Sequence, residues 1–270
     1  MATLVFAAIG TAIGGPLGGA IGSLIGGQLD RAVFGTGKRE GPRLKELAVT
    51  TSSYGTPIAR QFGTMRTAGS IIWSTELVES KEKSGGGKGK PSVTSYNYSV
   101  SFAVALSSRP IRRLERIWAD GNLLRGAAGD LKCGGELRIY NGYGDQARDP
   151  LIESAQGSAC PAFRGLAYCV FESLQLADYG NRIPALTFEI VADDGEISLA
   201  HLIEPIADQV DTDVRLSGLR GSSDEGGPVS TTLACLDQLY PLAYDASSAR
   251  LTIKAANFAT GRLPTLPEAS

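Results

Sequence analysis

The chain has 270 residues, 43% of them hydrophobic, a formal net charge of −2 at pH 7 and a sequence pI near 5.6. This length and apolar content provide a core for one large domain or two modest ones. The slightly acidic balance argues against nucleic acid as the main partner, because neutralising phosphates requires a basic surface.

The first segment, residues 2–29, has no charged side chain and contains eight glycines. As a continuous helix it would be about 42 Å long, more than the ~30 Å hydrocarbon layer of a bilayer. Because small residues spaced by four let helix backbones approach closely, we predict an apolar, glycine-rich N-terminal helix and linker over residues 1–40. The glycines expected at its oligomer or membrane interface are Gly10, Gly14, Gly15, Gly18, Gly19, Gly22 and Gly26.

The sequence leaves three interpretations of this segment open. It inserts into a membrane, it packs against copies of itself in an oligomer, or it is a disordered arm. A lone helix in water is disfavoured, because each glycine costs about 1 kcal/mol relative to alanine and Pro16 would kink the run. A signal peptide is not expected, since no Lys or Arg precedes the apolar run.

Residues 41–193 are predicted to form a β-rich domain around one long strand. Large side chains occupy every second position of this strand, and small or polar ones lie between them. A period of two places each set on its own face, so we expect one packed face and one face towards solvent or a lumen. The large residues are Tyr96, Tyr98, Val100, Phe102, Val104 and Leu106.

Shorter strand signals surround this strand. A hairpin turn is predicted at Asp120-Gly121, which suits left-handed backbone geometry. Lys88 and Lys90 are predicted in the loop tip between strands at about 70–79 and 93–106. This loop is not a phosphate loop, because Lys90 is followed by Pro91 and a strand rather than by Ser or Thr opening a helix. Other strands are predicted at 114–118, 136–140, 166–171 and 185–191, and a helical turn begins at Pro150.

Residues 194–262 are predicted to form a small α+β domain, and 263–270 a tail or linker. Ser198 is a candidate N-cap for a helix that carries apolar residues as far as Val210, bent at Pro205. Thr231 or Thr232 is predicted to cap a second helix. Residues 218–228 are predicted as a loop, and 251–254 as a closing strand.

We predict no catalytic, cofactor or metal site. The four cysteines lack C-x-x-C spacing and His201 is the only histidine, which does not make a zinc site. Cys169 is predicted to be a buried small hydrophobe. The basic run Arg109, Arg112, Arg113 and Arg116 is interpreted as a solvated strand face.

Nine short stretches, in order, resemble the amino-terminal part of tail-tip hub proteins of long-tailed phages and gene transfer agents, also called megatron proteins. The similarity covers residues 1 to about 192 and is looser beyond. The stretches are GPRL at 41–44, SYGTPI at 53–58, FGTMR at 62–66, IW at 72–73, YSVSFA at 98–103, WADG at 118–121, DPLIE at 149–153, PAFRG at 161–165 and ADYGNRIP at 177–184.

This resemblance implies a non-enzymatic baseplate hub protein of the virion tail tip, assembled in the host cytoplasm. Three copies would form a β-barrel-like ring that closes the tail tube, so the implied fold is mainly β with a small α+β second domain. The implied partners are further copies in a homotrimer, the distal tail protein, other tail-tip proteins, the tape measure protein and, through the N-terminal segment, the host membrane. No specific nucleic-acid sequence is implied.

Family members usually continue into a TIM-barrel-like region, whereas this chain stops at Ser270, so no hydrolytic site of that region is assigned. We predict a structural tail-tip component whose N-terminal segment takes part in host envelope penetration and DNA delivery. The alternative is a membrane-anchored envelope protein with a β-rich binding module.

Overall fold

The computed structural model describes residues 55–84, 93–206 and 208–256, the backbone at 39–40 and single positions between residues 4 and 24. Within these residues the protein is mainly β, as predicted, with three sheets and a few short helices. The strands are β1 (Arg39–Glu40), β2 (Arg60–Ala68), β3 (Ser70–Ser74), β4 (Val78–Ser84), β5 (Val93–Ser107), β6 (Arg113–Ala119), β7 (Asn122–Arg125), β8 (Glu136–Tyr140), β9 (Ala167–Gln175), β10 (Leu186–Val191), β11 (Val210–Thr212), β12 (Gly221–Asp224), β13 (Leu242–Asp245) and β14 (Leu251–Ala255).

The strands pair into three sheets. The first has the order β1-β5-β9-β8, with β3 and β4 also paired to β5. The second has the order β12-β2-β10-β6-β7, and the third has the order β11-β14-β13. The pairs β1·β5 and β11·β14 are parallel, and the other registered pairs are antiparallel.

The long strand predicted from the alternating pattern is present as β5. Its half from Val100 to Ser107 is buried on both faces, which corrects the expectation of one wet or lumen-facing side. Phe102 stacks on Phe171 of β9 with ring centroids 4.9 Å apart, while Ala103 packs in a second cluster with Ile152. Small side chains therefore let a second layer pack closely on the face predicted to be wet.

The hydroxyl groups on that face form hydrogen bonds within the protein rather than with solvent. The Ser101 hydroxyl accepts a hydrogen bond from the Ser173 backbone N–H at 2.9 Å. The Ser107 hydroxyl accepts from the Gln61 backbone N–H at 3.2 Å. A buried polar group is tolerated when it is paired in this way, so serine at these positions does not indicate exposure.

The hairpin predicted at Asp120-Gly121 is confirmed. β6 and β7 pair with Ala119 opposite Asn122, which leaves a two-residue loop. Asp120 has φ 48° and Gly121 has φ 83°, the two positive angles that this kind of turn requires. The Asp120 carboxylate also accepts from the Ala185 backbone N–H at 3.0 Å, which ties the turn to the start of β10.

The helices are α1 (Pro150–Gln156), α2 (Leu199–Leu202) and α3 (Val229–Asp237). The predicted long helix from Leu199 to Val210 is wrong: α2 ends at Leu202, a 3-10 turn follows over Glu204–Ile206, and Val210 begins β11. Pro205 provides no backbone N–H, so an α-helix cannot continue through it without losing a hydrogen bond. The apolar residues Leu199, Leu202 and Val210 still join one core cluster.

β12 lies in the Gly- and Ser-rich stretch that was predicted as a loop. It pairs with β2, with Gly221 opposite Gly63. A Cβ at Gly63, where φ is +68°, would lie 2.3 Å from the Arg220 carbonyl oxygen, and one at Gly221 would lie 2.6 Å from the Thr64 carbonyl oxygen. Glycine is therefore required at both positions for the two backbones to approach.

The chain divides into two compact units. One comprises Met1–Ala48, Leu77–Ser99 and Gln175–Arg182, and the other Val49–Glu76, Val100–Leu174 and Ile183–Ser270. The predicted domain bounds at 40, 193 and 262 remain predictions. Pairing of β12 with β2 joins residues on the two sides of position 193 within the second unit.

We expect Phe102→Ala to lower the free energy of unfolding by about 3–5 kcal/mol, because it removes a fully buried ring and leaves a cavity against Phe171. Urea denaturation followed by fluorescence measures the change. The control is Val78→Ala, at a position 61% exposed, for which we expect a change within about 0.5 kcal/mol. Equal effects of the two substitutions would contradict the central role of β5.

Candidate assembly surfaces

The residues predicted at the oligomer or membrane interface, Gly10, Gly14, Gly15, Gly18, Gly19, Gly22 and Gly26, lie outside the described residues, as do Lys88 and Lys90 of the predicted loop tip. The described positions between 4 and 24 are helical. Four of them expose large apolar side chains: Leu4 at 74%, Ile9 at 50%, Ile21 at 55% and Leu24 at 70%. Within the described residues, no helix has the length and apolar character needed to cross a membrane.

β4 and β5 form an antiparallel ribbon with a charged edge. Glu79 lies opposite Tyr98 and Lys81 opposite Tyr96. The Tyr98 hydroxyl donates to the Glu79 carboxylate at 3.2 Å, and the Lys81 Nζ lies 3.9 Å from that carboxylate and 5.8 Å from the centre of the Tyr96 ring. The other side of β4 pairs with no strand in the described part of the chain. Alternating charges on such an edge oppose unselective pairing with other strands.

The basic run in and before β6 carries ion pairs. Arg112 lies 3.3 Å from Asp194, and Arg116 lies 3.5 Å from Glu189. Arg113 lies 2.5 Å from Glu115 and 3.3 Å from Asp194. These arginines are about half exposed, which fits the predicted solvated face, but their charges are balanced locally. The run therefore does not form a free basic patch.

Arg109 differs from the other members of this run, because it is partly buried and bridges distant segments. Its guanidinium donates two hydrogen bonds of 2.8 Å to the Asp193 carboxylate and one of 2.8 Å to the Gln61 carbonyl. The same group lies 4.7 Å from the centre of the Phe62 ring. Asp193 also accepts from the Gly63 backbone N–H at 3.0 Å, so this pair fixes the bend of β2 at Gly63.

The pKa of Asp193 results from opposing effects. Burial raises it, but the hydrogen bonds from Arg109 and from the Gly63 N–H outweigh burial, so the net pKa is lowered. The pKa of Arg109 is raised, chiefly by its hydrogen bond to Asp193. The sequence placed Asp193 in a turn for backbone reasons and gave no signal of this partner, which is 84 positions away.

A second carboxylate, Asp149, organises the start of α1. It is fully buried and caps the helix by accepting from the Leu151 and Ile152 N–H groups at 2.9 and 3.1 Å. Arg138 Nε donates to it at 2.7 Å and the Tyr140 hydroxyl at 2.8 Å, and Arg138 also pairs with Glu172. The Asp-Pro pair that begins α1 is the one sequence signal for this arrangement, since Asp favours the N-cap and Pro the first turn.

The pKa values in this network follow from burial and pairing. Burial tends to raise the pKa of Asp149, but donation from Arg138, Ile152 and Tyr140 lowers it overall. Burial, followed by the hydrogen bond to Asp149, raises the pKa of Tyr140 to about 12. Arg138, Tyr140 and Asp149 thus each hold one charge state at neutral pH, which is typical of a structural network rather than of a proton-transfer site.

The remaining chemistry-bearing residues lie apart. Cys169 is fully buried as predicted, and burial raises the pKa of its thiol. Cys160, Cys169 and Cys235 are free thiols. Among the described residues, no group of three or more His, Cys, Asp or Glu side chains is arranged to hold a metal ion.

Comparison with known proteins gives an informative similarity to a solved structure. No protein-family model matches the chain, and no curated protein sequence does. A chain in the solved structure "Virion of native gene transfer agent (GTA) particle" superposes with a TM-score of 0.61 and 26% sequence identity over 88% of the present chain. The present chain spans 64% of the length of that virion chain. The protein is therefore structurally similar to a component of a gene transfer agent virion.

We expect Asp149→Asn to lower the free energy of unfolding by about 3–5 kcal/mol, because it leaves the charge of Arg138 partly buried without its main partner. The control is Asp145→Asn in the same loop, where the side chain is exposed and the expected change is within about 0.5 kcal/mol. Chemical denaturation of both variants measures this difference. A loss no larger than that of the control would contradict the structural role of Asp149.

The lowered pKa of Asp193 predicts the sign of a pH effect. A carboxylate with a folded-state pKa below the unfolded value, near 3.9, stabilises the fold above that value and loses this contribution as the pH falls. We expect Asp193→Asn to destabilise the protein more at pH 7 than at pH 3, measured from urea midpoints at both values. Asp194→Asn, which alters a pair of about half-exposed side chains, should show a smaller difference. A larger loss at pH 3 than at pH 7 for Asp193→Asn would reverse the sign and refute the assignment.

Proposed function

We propose that this chain is a structural protein of a gene-transfer-agent or phage-like virion. The observation that carries this proposal is the superposition on a gene transfer agent virion chain along 88% of the present chain. A similarity of that extent covers most of the chain, so it concerns more than a shared motif. A structural role without enzymatic activity is part of the same proposal.

Within the virion we propose the position of a baseplate hub subunit at the tail tip, with three copies closed into a β-barrel-like ring. Two observations support this position. The nine sequence stretches that resemble hub proteins all fall between residues 41 and 184. The described sheets end in edge strands, such as β4 and β13, that a neighbouring copy can cover. Closed symmetry removes such edges, because the last subunit meets the first.

We further propose that the N-terminal segment packs around the axis of this ring and contacts the host envelope during DNA delivery. The apolar side chains at Leu4, Ile9, Ile21 and Leu24 are exposed in the single chain, which is costly in water unless a partner or lipid covers them. Copies of the chain would cover them before contact. The proposed neighbours are the distal tail protein, other tail-tip proteins and the tape measure protein.

The position in the particle is testable by labelling. We expect an epitope-tagged chain in purified particles, with immunogold at the tail tip rather than along the tube or on the head. A membrane-anchored envelope protein would instead remain in the membranes of cells that make no particles, and cell fractionation measures this. Absence of the chain from purified particles would refute the proposal.

The role of the N-terminal segment predicts a separate phenotype. We expect deletion of residues 2–34, and the double substitution Ile9→Asp with Ile21→Asp, to abolish DNA delivery, because each removes the apolar surface. The conservative pair Ile9→Val with Ile21→Val should deliver DNA normally. Transfer of a selectable marker per particle is the measurement. Normal delivery by the deletion variant would refute this role and leave the proposed position in the particle intact.

A further inference from the structure

The sheet with the order β12-β2-β10-β6-β7 has one packed face and one open face in the described part of the chain. Phe188 of β10 is fully buried, whereas its neighbours Thr187 and Glu189 are only partly buried. This alternation is typical of an antiparallel sheet that covers the core with one side. Trp118 of β6 lies opposite Thr187, and Arg66 of β2 lies opposite Glu189, so both belong to the open face. All of these strands lie within one compact unit.

Two contacts hold the Arg66 guanidinium in one orientation on this face. Its Cζ atom lies 3.9 Å from the centre of the Trp118 ring, which is within the range of a cation–π contact. Its Nε donates a hydrogen bond of 2.8 Å to the Thr187 hydroxyl. The two terminal nitrogens, Nη1 and Nη2, form no hydrogen bond with the described residues. These nitrogens present the planar fork that binds a carboxylate through two parallel hydrogen bonds.

Arg66 differs from the other cations that lie over aromatic rings in the described part of the chain. Arg60, Arg109 and Lys81 each also have a carboxylate partner, at 2.6, 2.8 and 3.9 Å. Arg66 is exposed and forms no ion pair with the described residues. A side chain whose orientation is already fixed loses less conformational freedom on binding, which favours Arg66 as a group that binds a partner.

The charges around Arg66 favour a single carboxylate over a polyanion such as nucleic acid. Glu189 lies opposite Arg66 in register but pairs with Arg116 at 3.5 Å. Arg113 of β6 pairs in the same way with Glu115 at 2.5 Å. A row of phosphates would meet these two carboxylates and be repelled by them, because like charges at short range repel. One carboxylate on the fork of Arg66 contacts only the cation that has no acid partner.

The surroundings of Arg66 and Trp118 favour a protein as the partner. Leu123 of β7 lies opposite Trp118 and is 36% exposed, so apolar surface adjoins the indole. Small molecules are usually bound in concave pockets, whereas these residues lie on an open sheet face. Tryptophan and arginine are also the residue types that dominate the binding energy of protein–protein interfaces. An acidic side chain beside an apolar one is the surface that complements this combination.

We propose that Arg66 and Trp118 dock an acidic segment of another protein chain. One Asp or Glu carboxylate of that segment accepts two hydrogen bonds from Nη1 and Nη2 of Arg66. An adjacent apolar side chain of the segment packs on Trp118 and Leu123. Thr187 orients the guanidinium and does not contact the segment. This docking site follows from the contacts around Arg66 and does not rest on the proposed place in a virion.

The carboxylate preference is tested with the full chain and two matched peptides. The peptide Gly-Leu-Glu-Leu-Gly, blocked at both ends, offers one carboxylate between two apolar side chains, and its counterpart has Gln in place of Glu. We expect the Glu peptide to shift the indole N–H signal of Trp118 in an NMR titration and to bind about two- to fivefold more tightly than the Gln peptide. The variant Trp118→Phe identifies that signal. Equal affinities, or no shift with either peptide, would overturn the proposal.

Phosphate ligands are tested as competitors in the same titration. At equal concentration, we expect inorganic phosphate and an oligothymidylate to leave the shift caused by the Glu peptide unchanged, because the neighbouring acids oppose additional negative charge. Displacement of the peptide by either competitor would make a phosphate group the preferred ligand. That result would overturn the assignment of an acidic protein segment.

Three substitutions localise the effect. Arg66→Lys keeps the charge but removes the planar fork, so we expect the affinities for the Glu and Gln peptides to become nearly equal. Thr187→Val removes the hydroxyl that orients Arg66 and should reduce the preference for the Glu peptide in part. Arg215→Lys alters an exposed arginine outside this sheet and should leave the preference intact.

Thermal unfolding of the three variants checks that each retains the fold, which is expected because Arg66 and Arg215 are exposed and Val has nearly the shape of Thr. If Arg66→Lys keeps the full preference for the Glu peptide, the guanidinium only covers the indole and the docking site is refuted. The same conclusion holds if Arg66→Lys and Arg215→Lys have equal effects, because the peptide would then bind elsewhere.

Discussion

Two-sided burial of the second half of β5 is the constraint on which the rest of the structure depends. From Val100 to Ser107 every side chain is buried, with Phe102 against Phe171 on one side and Ala103 against Ile152 and its neighbours on the other. A strand in this position needs large residues on one face and small ones on the other, because two layers must approach it at different distances. The alternation of large and small side chains along β5 therefore reflects two packing distances. It does not indicate one buried and one solvent-exposed face.

Irregular segments are tied to this core by two desolvated carboxylates. Asp193 connects Arg109 to the bend of β2, and Asp149 connects β8 to the first turn of α1. In each case burial alone would favour the neutral acid, and several donors are needed to keep the charge. Such a carboxylate holds its segment only while every donor stays in place. Loops that contribute to these sites are thereby given fixed positions without being part of a sheet.

Local patterns in the sequence correctly predicted elements that depend on neighbouring residues. They did not predict elements that depend on tertiary contacts. The Asp120-Gly121 turn and the strand at 136–140 depend on a few neighbouring residues, and both predictions are confirmed. β12 reads as a Gly- and Ser-rich loop because its strand geometry comes from close approach to β2, which glycine permits. The prediction of a helix through Val210 was wrong because it relied on the spacing of apolar residues. It did not take into account that Pro205 interrupts the helix. The hydrogen-bond partners of Asp193 and Asp149 lie far along the chain or on other elements. They could therefore not be predicted from residue spacing.

The fold is similar to that of a virion chain although the sequence identity is low. Both facts follow if only a few residues determine the path of the backbone. A TM-score of 0.61 at 26% identity means that the path of the backbone is shared while most side chains differ. The features that fix this path here are few: two-sided burial along β5, glycines where β2 meets β12, positive φ angles at one hairpin, and two carboxylates with several donors. Edge strands and exposed apolar positions are under no such constraint within a single chain. In the proposed virion assembly, contacts between chains would fix them, and for that reason the surfaces of this fold are more informative about that assembly than its core.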